Sequence, residues 1–356
     1  MFNNLSLPLL VLVFVGVAVV VWVAGVQLSN NVDVLASRLG LGEALGGLLL
    51  LSIATNLPEI AIVCSAALHG DLGIAIGNIL GGVAIQTTVL VYLDVTSQRR
   101  REPLTYQAAS LALVLEGGLV IALLAVAIAG SRLPSDLLVA RIAPGSFLIV
   151  VLWVVGVWLV GRAQSGLPWH ESGDAPGGQE EPMRVGQEKQ EQEASEEGVS
   201  TGRAAAVFGV AAVITLVGGI LLERSGDAIA THIHMTGVLF GATVLAAACA
   251  LPEFSTGQTL MRLEDYQLAV SDIFGGNAFL PVLFLPAGLL SGSAVLPQVQ
   301  STDLYLTALA VILTAVYIFG LIFRPRHRVL GMGPDSLTVL VLYLLGLGGL
   351  FIIANG

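Results

Sequence analysis

The sequence is divided into about ten apolar segments, each close to the length that a helix needs to cross a bilayer. Roughly 20 apolar residues span the hydrocarbon core, where the backbone must satisfy its own hydrogen bonds because lipid offers no partners. The segments predicted to span the membrane are 7–26, 44–68, 72–95, 104–129, 142–161, 204–222, 237–261, 266–294, 302–323 and 334–354. The sequence therefore predicts an all-α polytopic membrane protein surrounded by a lipid bilayer.

Composition excludes several other classes of protein. Charged residues make up 11% of the chain and apolar residues 55%, whereas a soluble globular domain carries about 25% charged residues. The formal net charge of −10 does not support binding to nucleic acid, which requires a basic surface. The sequence shows no nucleophile paired with a base, no phosphate-binding glycine loop and no ATP motif. We therefore expect neither an enzyme nor a bound cofactor.

A hydrophilic stretch, residues 163–203, separates two apolar halves at 1–162 and 204–356. It is rich in glutamate, glycine, glutamine and proline, and it cannot bury enough apolar surface to fold alone. We interpret it as a flexible acidic linker. The alternative is a regulatory cation-sensing loop, although its acids lack the fixed spacing of a calcium-binding loop.

The basic residues favour one orientation in the membrane. When successive loops are placed on alternate sides, most arginines fall on the same side as the linker, including those at 99–101 and 324–328. The positive-inside rule makes that side cytoplasmic and places both termini outside. We expect the membrane to be a prokaryotic inner membrane.

The two halves share an internal repeat at a constant offset of 194 residues. The segment Leu57-Pro58-Glu59 recurs as Leu251-Pro252-Glu253. The same offset relates further pairs: Asp33 and Asp227, Gly47 and Gly241, Asp71 and Asp265, Asn78 and Asp272, Gly81 and Gly275, Gly82 and Gly276. Because each half has five predicted spans, an odd number, the second copy must enter the membrane from the opposite side. Inverted repeats are typical of secondary transporters, whose binding sites lie near the bilayer midplane.

Two glutamates lie near the middle of predicted spans, Glu59 in span 2 and Glu253 in span 7. An ionised group at that depth costs several kcal/mol and usually serves a function. The proline before each glutamate has no backbone N–H, so it frees the carbonyl four residues earlier, at Ala54 and Ala248. The alternative is a protonated glutamate with a purely structural hydrogen bond, and the recurrence of the motif in both halves argues against it.

A second polar residue follows each glutamate after 19 residues, Asn78 in the first copy and Asp272 in the second. A helical hairpin turning at Gly70 would bring Glu59 and Asn78 to within about 5 Å in depth, at 1.5 Å per residue. Glu253 and Asp272 would meet in the same way. Three carboxylates and one amide form an all-oxygen set that suits a hard cation such as calcium. No histidine or cysteine joins them with the spacing of a zinc site.

The two L-P-E segments, followed at a fixed distance by G-N-I-L-G-G and S-D-I-F-G-G, resemble the paired alpha-repeats of the cation/calcium exchanger superfamily. The resemblance is to the sodium/calcium exchanger group in particular, and its core covers 42–95 and 236–289. It implies ten spans, alternating access, and countertransport of calcium, an inorganic cation, against sodium or protons.

The resemblance also implies roles for individual residues. Glu59 and Glu253 correspond to the central calcium-binding glutamates of the family. Asn78 and Asp272 correspond to a polar pair in spans 3 and 8. Thr55 corresponds to a threonine whose backbone or hydroxyl helps to bind ions.

The second copy departs from the family pattern T-S-L-P-E. The first copy has Thr55-Asn56 before its L-P-E, whereas the second has Cys249-Ala250. The loss of hydroxyl ligands weakens the expectation of sodium sites more than that of a calcium site. Because a buried carboxylate with no cation beside it takes up a proton readily, proton countertransport stays open. A non-transporting, cation-binding membrane sensor with the same fold is the alternative function.

Overall fold

The computed structural model of the chain describes residues 2, 5–38, 47–96, 102–138, 142–164 and 201–355. Across these residues the secondary structure is helical without any β-strand, and Val329 and Met332 form an isolated bridge. Most of the predicted linker, residues 165–200, lies outside the described residues. The predicted all-α fold is confirmed.

The helices follow one another in two halves. The described part of the first half contains α1 (Leu7–Arg38), α2 (Gly47–Thr55), α3 (Leu57–His69), α4 (Leu72–Thr96), α5 (Leu104–Ala108), α6 (Leu111–Gly130) and α7 (Pro144–Gln164). The second half contains α8 (Thr201–His232), α9 (Gly237–Phe240), α10 (Ala246–Cys249), α11 (Leu251–Arg262), α12 (Tyr266–Phe279), α13 (Phe284–Ser291), α14 (Ser301–Phe323) and α15 (Pro334–Asn355). A π-helical segment, Gly241–Leu245, joins α9 to α10.

Within the described residues, nine helical segments are long and apolar enough to cross a membrane. Together, α2 and α3 add a tenth crossing that is broken near its middle. Almost every residue of α4 is buried, whereas α7 and α15 expose apolar side chains along most of their length. The chain is therefore an integral membrane protein with α4 at its centre and with α7 and α15 facing lipid.

Both predicted helix breaks are present at equivalent positions. Asn56, with a ψ of 12°, separates α2 from α3, and Ala250, with a ψ of −3°, separates α10 from α11. Pro58 and Pro252 occupy the first turns of the helices that follow. Because neither proline can donate a backbone hydrogen bond to the preceding turn, each helix stops and restarts at this point.

Two helical hairpins form the centre of the molecule. As predicted, α3 turns into α4 at Gly70, whose φ of 84° is a conformation that glycine adopts readily. In the second half, α11 turns into α12 through residues 263–265, and both of these helices pack against α4. The long helices α1 and α8 pack against each other, and each also contacts the hairpin of the opposite half: α1 contacts α11, and α8 contacts α3.

The predicted ends of two spans are wrong. Helix α1 continues to Arg38 instead of ending at residue 26, and α8 runs from Thr201 to His232 instead of from 204 to 222. The predicted boundary of the linker at residue 203 therefore falls inside α8. The added turns at the end of each helix are polar in sequence, so hydropathy located the apolar layer and not the ends of the helices.

Two predicted spans are divided in the structure. The span predicted at 104–129 is interrupted where Ser110, in extended backbone, caps the first turn of α6 with its hydroxyl. The span predicted at 266–294 contains a 3₁₀ turn at 280–283, which includes Pro281. Serine caps and prolines interrupt a helix without lowering the mean hydropathy of the segment by much.

Candidate functional site

Glu59 and Glu253 occupy equivalent positions, each in the first turn of a helix that begins at a break. Glu59 is in the first turn of α3, Glu253 is in the first turn of α11, and both are only 2% exposed. The N-terminal turn of a helix presents unpaired N–H groups and a partial positive charge, which favour a carboxylate. The two breaks thus place two acidic groups in the protein interior.

Gln86 of α4 joins the two carboxylates. Its side-chain Nε2 lies 3.4 Å from Oε1 of Glu59 and 3.4 Å from Oε1 of Glu253. The same nitrogen lies 3.4 Å from Oδ1 of Asn56, the residue at the first break. The two Oε1 atoms are therefore no further apart than twice this distance. The inverted copies meet at one buried amide.

The backbone of α12 makes room for these polar groups. An added Cβ at Gly276 would lie 3.0 Å from Nδ2 of Asn56 and 3.3 Å from Oε1 of Gln86. Asn56 itself donates a 2.7 Å hydrogen bond to the carbonyl of Ser52, which fixes the orientation of its amide. A side chain at Gly276 would therefore press on both amides.

Several buried oxygens of the site are left as acceptors without donors. Oε2 of Glu59, Oε2 of Glu253 and Oε1 of Gln86 have no hydrogen-bond partner within the described part of the chain. A buried polar atom without a partner is costly, so such atoms indicate a ligand or water. Hard oxygens of this kind are the ligands that calcium prefers.

Asp272 of α12 is also buried, at 2% exposure, and lies within electrostatic range of Glu253, as does Glu59. Its neighbour Ser271 donates a 2.7 Å hydrogen bond to Oε2 of Glu116 in α6. Asp272 is therefore within electrostatic range of the second glutamate, and the residue before it is bonded to a further buried carboxyl. A direct contact between Asp272 and Glu253 stays a prediction.

Asn78 is fully buried in α4, but the hydrogen bond that α4 donates to Glu59 comes from Gln86, eight residues further along the helix. Neither polar atom of the Asn78 side chain has a hydrogen-bond partner among the described residues. An added Cβ at Gly241, in the π-helical segment, would lie 3.2 Å from the backbone nitrogen of Asn78. A direct contact between Glu59 and Asn78 therefore stays a prediction.

The other predicted site residues lie at the ends of the helices before the breaks. The Thr55 hydroxyl donates to the Ser52 carbonyl at 3.3 Å and is buried. Ala54 and Ala248 are buried near the C-terminal ends of α2 and α10, where the partial charge of a helix is negative and favours a cation. Their participation in ion binding stays a prediction.

In the part of the chain that the structure describes, no three His, Cys, Asp or Glu side chains converge closely enough to hold a metal ion by themselves. Asp272 therefore does not close a three-carboxylate cluster with Glu59 and Glu253 in this conformation. Hydrogen bonds at 3.4 Å instead connect the two glutamates with the amides of Gln86 and Asn56.

Gln86 and Asn56 are the site residues that the sequence did not predict. The repeat offset pairs Gln86 with Leu280 and Asn56 with Ala250, so neither position shows polar residues in both copies. The available signal was the presence of a glutamine in the middle of a long apolar helix, which is a costly position for an amide.

Both halves of the chain match one protein family. The family profile described as "Sodium/calcium exchanger protein" matches residues 9–162 and 203–352. The chain is also 27% identical, over 333 residues, to the inner membrane protein YrbG of Escherichia coli, and the match covers 92% of each chain.

Two solved structures show the same fold. The H+/Ca2+ exchanger CAX superimposes with a TM-score of 0.67 at 11% sequence identity, covering 97% of this chain and 85% of that one. The sodium-calcium exchanger NCX_Mj superimposes with a TM-score of 0.60 at 16% identity, covering 96% of this chain and 99% of that one.

Proposed function

The chain belongs to the sodium/calcium exchanger family, and from this premise we propose that it moves calcium across the membrane in exchange for sodium or protons, by alternating access. The observation that carries the proposal is the meeting of Glu59 and Glu253, from oppositely oriented repeats, at the single amide of Gln86. Members of the family are transporters of inorganic cations and not enzymes.

The charge of the site fits a divalent cation. Two carboxylates held close together in the protein interior repel each other, and a bound calcium would offset both charges. Calcium takes six to eight oxygens in a flexible arrangement, so it can combine these carboxylates with amide oxygens, backbone carbonyls and water. Asp272, beside Glu253, would contribute further negative charge.

The position of the site fits alternating access. Both glutamates lie at helix breaks within the membrane, on hairpins related by the inverted repeat. A site between inverted repeats can open to either side when one part of the protein rocks or slides against the other. The transporter would reside in a bacterial inner membrane, as the name of the Escherichia coli relative states for that protein, with both termini outside.

The sequence before the second L-P-E bears on the identity of the counter-ion. In the second copy, Cys249 and Ala250 stand where hydroxyl side chains would bind sodium, which favours a role for protons at the carboxylates. Sodium and protons predict different responses to an imposed gradient, so one assay separates them.

The experiment is radioactive calcium uptake by the purified protein in sealed liposomes. One set carries an outward sodium gradient at equal pH, and a second set carries a proton gradient without sodium. We expect one of the two gradients to drive uptake, and a matching ionophore to abolish it. Calcium binding without flux under either gradient would contradict the proposal and indicate a cation sensor.

A further inference from the structure

Gly25 of α1 lies directly against the proline of the second break. An added Cβ at Gly25 would lie 2.6 Å from Cγ and 2.7 Å from Cβ of Pro252. A proline ring cannot rotate away as a flexible side chain can, so only glycine permits this approach of α1 to α11. Pro252 immediately precedes Glu253.

Gly219 of α8 makes the equivalent contact with the first break. An added Cβ at Gly219 would lie 2.7 Å from the backbone oxygen of Pro58 and 2.7 Å from Cβ of Ala61, both in α3. Pro58 immediately precedes Glu59. Gly25 and Gly219 are separated by 194 residues, the offset of the repeat.

Each of the two contacts therefore joins a helix of one half to the helix break of the other half. The long helix of the first half touches the break of the second half, and the long helix of the second half touches the break of the first. Both contacts occur one residue before a glutamate of the site.

A side-chain hydrogen bond reinforces each contact. Trp22 of α1 donates through Nε1 to the hydroxyl of Ser255 in α11 at 2.5 Å. In the other pair, Ser65 of α3 donates its hydroxyl to Oε2 of Glu223 in α8 at 2.7 Å. Each long helix is thus attached to the opposite hairpin both by backbone packing and by a polar bond.

We propose that Gly25 and Gly219 are positioning residues, through which the first helix of each half sets the position of the carboxylate of the other half. This inference rests on the proposed function, because its measured effect is on calcium. A methyl group at Gly25 would overlap the ring of Pro252, and one at Gly219 would overlap the backbone oxygen of Pro58 and Cβ of Ala61. Each break would therefore shift relative to the long helix, and the glutamate that follows the proline would move with it. Ligands displaced by a few tenths of an ångström bind a cation less well.

The chain offers matched controls on the same two helices. An added Cβ at Gly16 of α1, or at Gly209 of α8, would meet no atom within 4 Å. All four substitutions replace glycine by alanine inside a helix, so their effects on helix propensity are alike. Any difference between Gly25→Ala and Gly16→Ala therefore reflects the contact with Pro252.

The test measures the calcium KM and maximal rate of uptake in liposomes for the four variants, together with thermal unfolding in detergent. We expect Gly25→Ala and Gly219→Ala to raise the calcium KM by about tenfold, and Gly16→Ala and Gly209→Ala to match the wild type. If either glycine variant does not fold, Ser255→Ala removes the hydrogen bond from Trp22 and should raise KM by a smaller factor.

A cross-wise comparison separates positioning from general damage. The effect of Gly25→Ala on KM should change in the Glu253→Asp background and stay constant in the Glu59→Asp background. Gly219→Ala should show the reverse. Equal effects on KM in both backgrounds would overturn the positioning role, and so would KM values equal to those of the control variants. In either case, calcium uptake by the wild type would still support the proposed function. Absence of calcium uptake by the wild type would instead overturn the proposed function.

Discussion

At the scale of single residues, the site depends on how two buried carboxylates are held together. Glu59 and Glu253 share the Nε2 donor of Gln86, and each also sits in the first turn of a helix. Hydrogen bonds to charged groups contribute about 1.5–3 kcal/mol each, which partly offsets the loss of water around the charge. Gln86 therefore stabilises both carboxylates of the site.

Replacing Gln86 by leucine removes the shared donor and one amide oxygen from the site. We expect the Gln86→Leu variant to fold and to raise the calcium KM by about tenfold, the effect of losing a hydrogen bond to a charged group. Gln107→Leu is the matched control, because the side chain of Gln107, in α5, donates its hydrogen bond to Glu102 at 3.2 Å. An unchanged KM for Gln86→Leu would show that the amide plays no part in binding.

The sequence predicted the two glutamates because the same motif occurs twice, and it predicted a meeting of Asp272 with Glu253, which stays a prediction. It did not predict Gln86, since the repeat has Leu280 at the equivalent position. A repeat reveals groups that both copies supply, whereas an asymmetric ligand is found only from the fold. The contact predicted between Glu59 and Asn78 rested on depth alone, which does not determine the face of α4 that meets α3.

At the scale of helices, buried acids connect the ends of the elements. Asp94, at the end of α4, accepts hydrogen bonds from the backbone nitrogens of Leu104 at 2.8 Å and Gly333 at 2.6 Å, and lies 3.5 Å from the Arg328 guanidinium. Asp265 caps α12 by accepting from the Leu268 nitrogen at 3.0 Å. Asp94 therefore ties the end of α4 to the segments that begin α5 and precede α15.

Asp94→Ala should destabilise the protein without altering calcium binding. The variant loses two buried hydrogen bonds to a carboxylate, so we expect the free energy of unfolding to fall by about 3 kcal/mol. Gln86 is eight residues away along α4, or roughly 12 Å, so the calcium KM should not change. Thermal unfolding and uptake by the same preparation check both statements, with exposed Asp136→Ala as control. A changed KM with normal stability would contradict this role.

Asp265 predicts a pH dependence of stability. It lies in the loop between α11 and α12, where burial raises its pKa from 3.8 to about 6. Because the folded state holds the proton more tightly than the unfolded state, stability decreases as pH rises from about 4 to 6, and then levels off. The difference between the pKa of Asp265 in the unfolded and in the folded state corresponds to about 3 kcal/mol in the free energy of unfolding.

Asp265→Asn removes this ionisation and keeps a residue that caps helices equally well. We expect the variant to be more stable than the wild type above pH 6, and the difference to shrink as the pH is lowered toward 4. Unfolding of both proteins in detergent, measured from pH 4 to above pH 6, gives this difference in stability. A constant difference at all pH values would contradict the assignment to Asp265.

Helix breaks were predictable where proline fixes them, as at Pro58 and Pro252, since the missing N–H acts locally. The lengths of α1 and α8 were not, because both helices continue beyond the apolar layer with polar residues. The π-helical segment Gly241–Leu245 was also missed. An added Cβ at Gly241 would lie 2.8 Å from the backbone oxygen of Ile74 in α4. The π-helical segment therefore packs closely against α4, and the hydropathy of a sequence does not predict such a contact.

At the scale of the whole molecule, two five-span halves of opposite orientation surround one site. With ten crossings we expect both ends of this chain on the same side of the membrane, and the distribution of arginines predicts a cytoplasmic location for the linker 163–203. Reporters active only inside or only outside the cell, fused to either end, should both report an outside location. Ends on opposite sides would contradict the ten-span topology.

The central claim is that Glu59 and Glu253 together form the calcium transport site. The most direct measurement is gradient-driven calcium uptake by Glu59→Gln, Glu253→Gln and the control Glu264→Gln, whose side chain is exposed in the loop between α11 and α12. We expect both site variants to lose uptake while they fold normally, and Glu264→Gln to transport calcium like the wild type. Undiminished uptake by either folded site variant would contradict it.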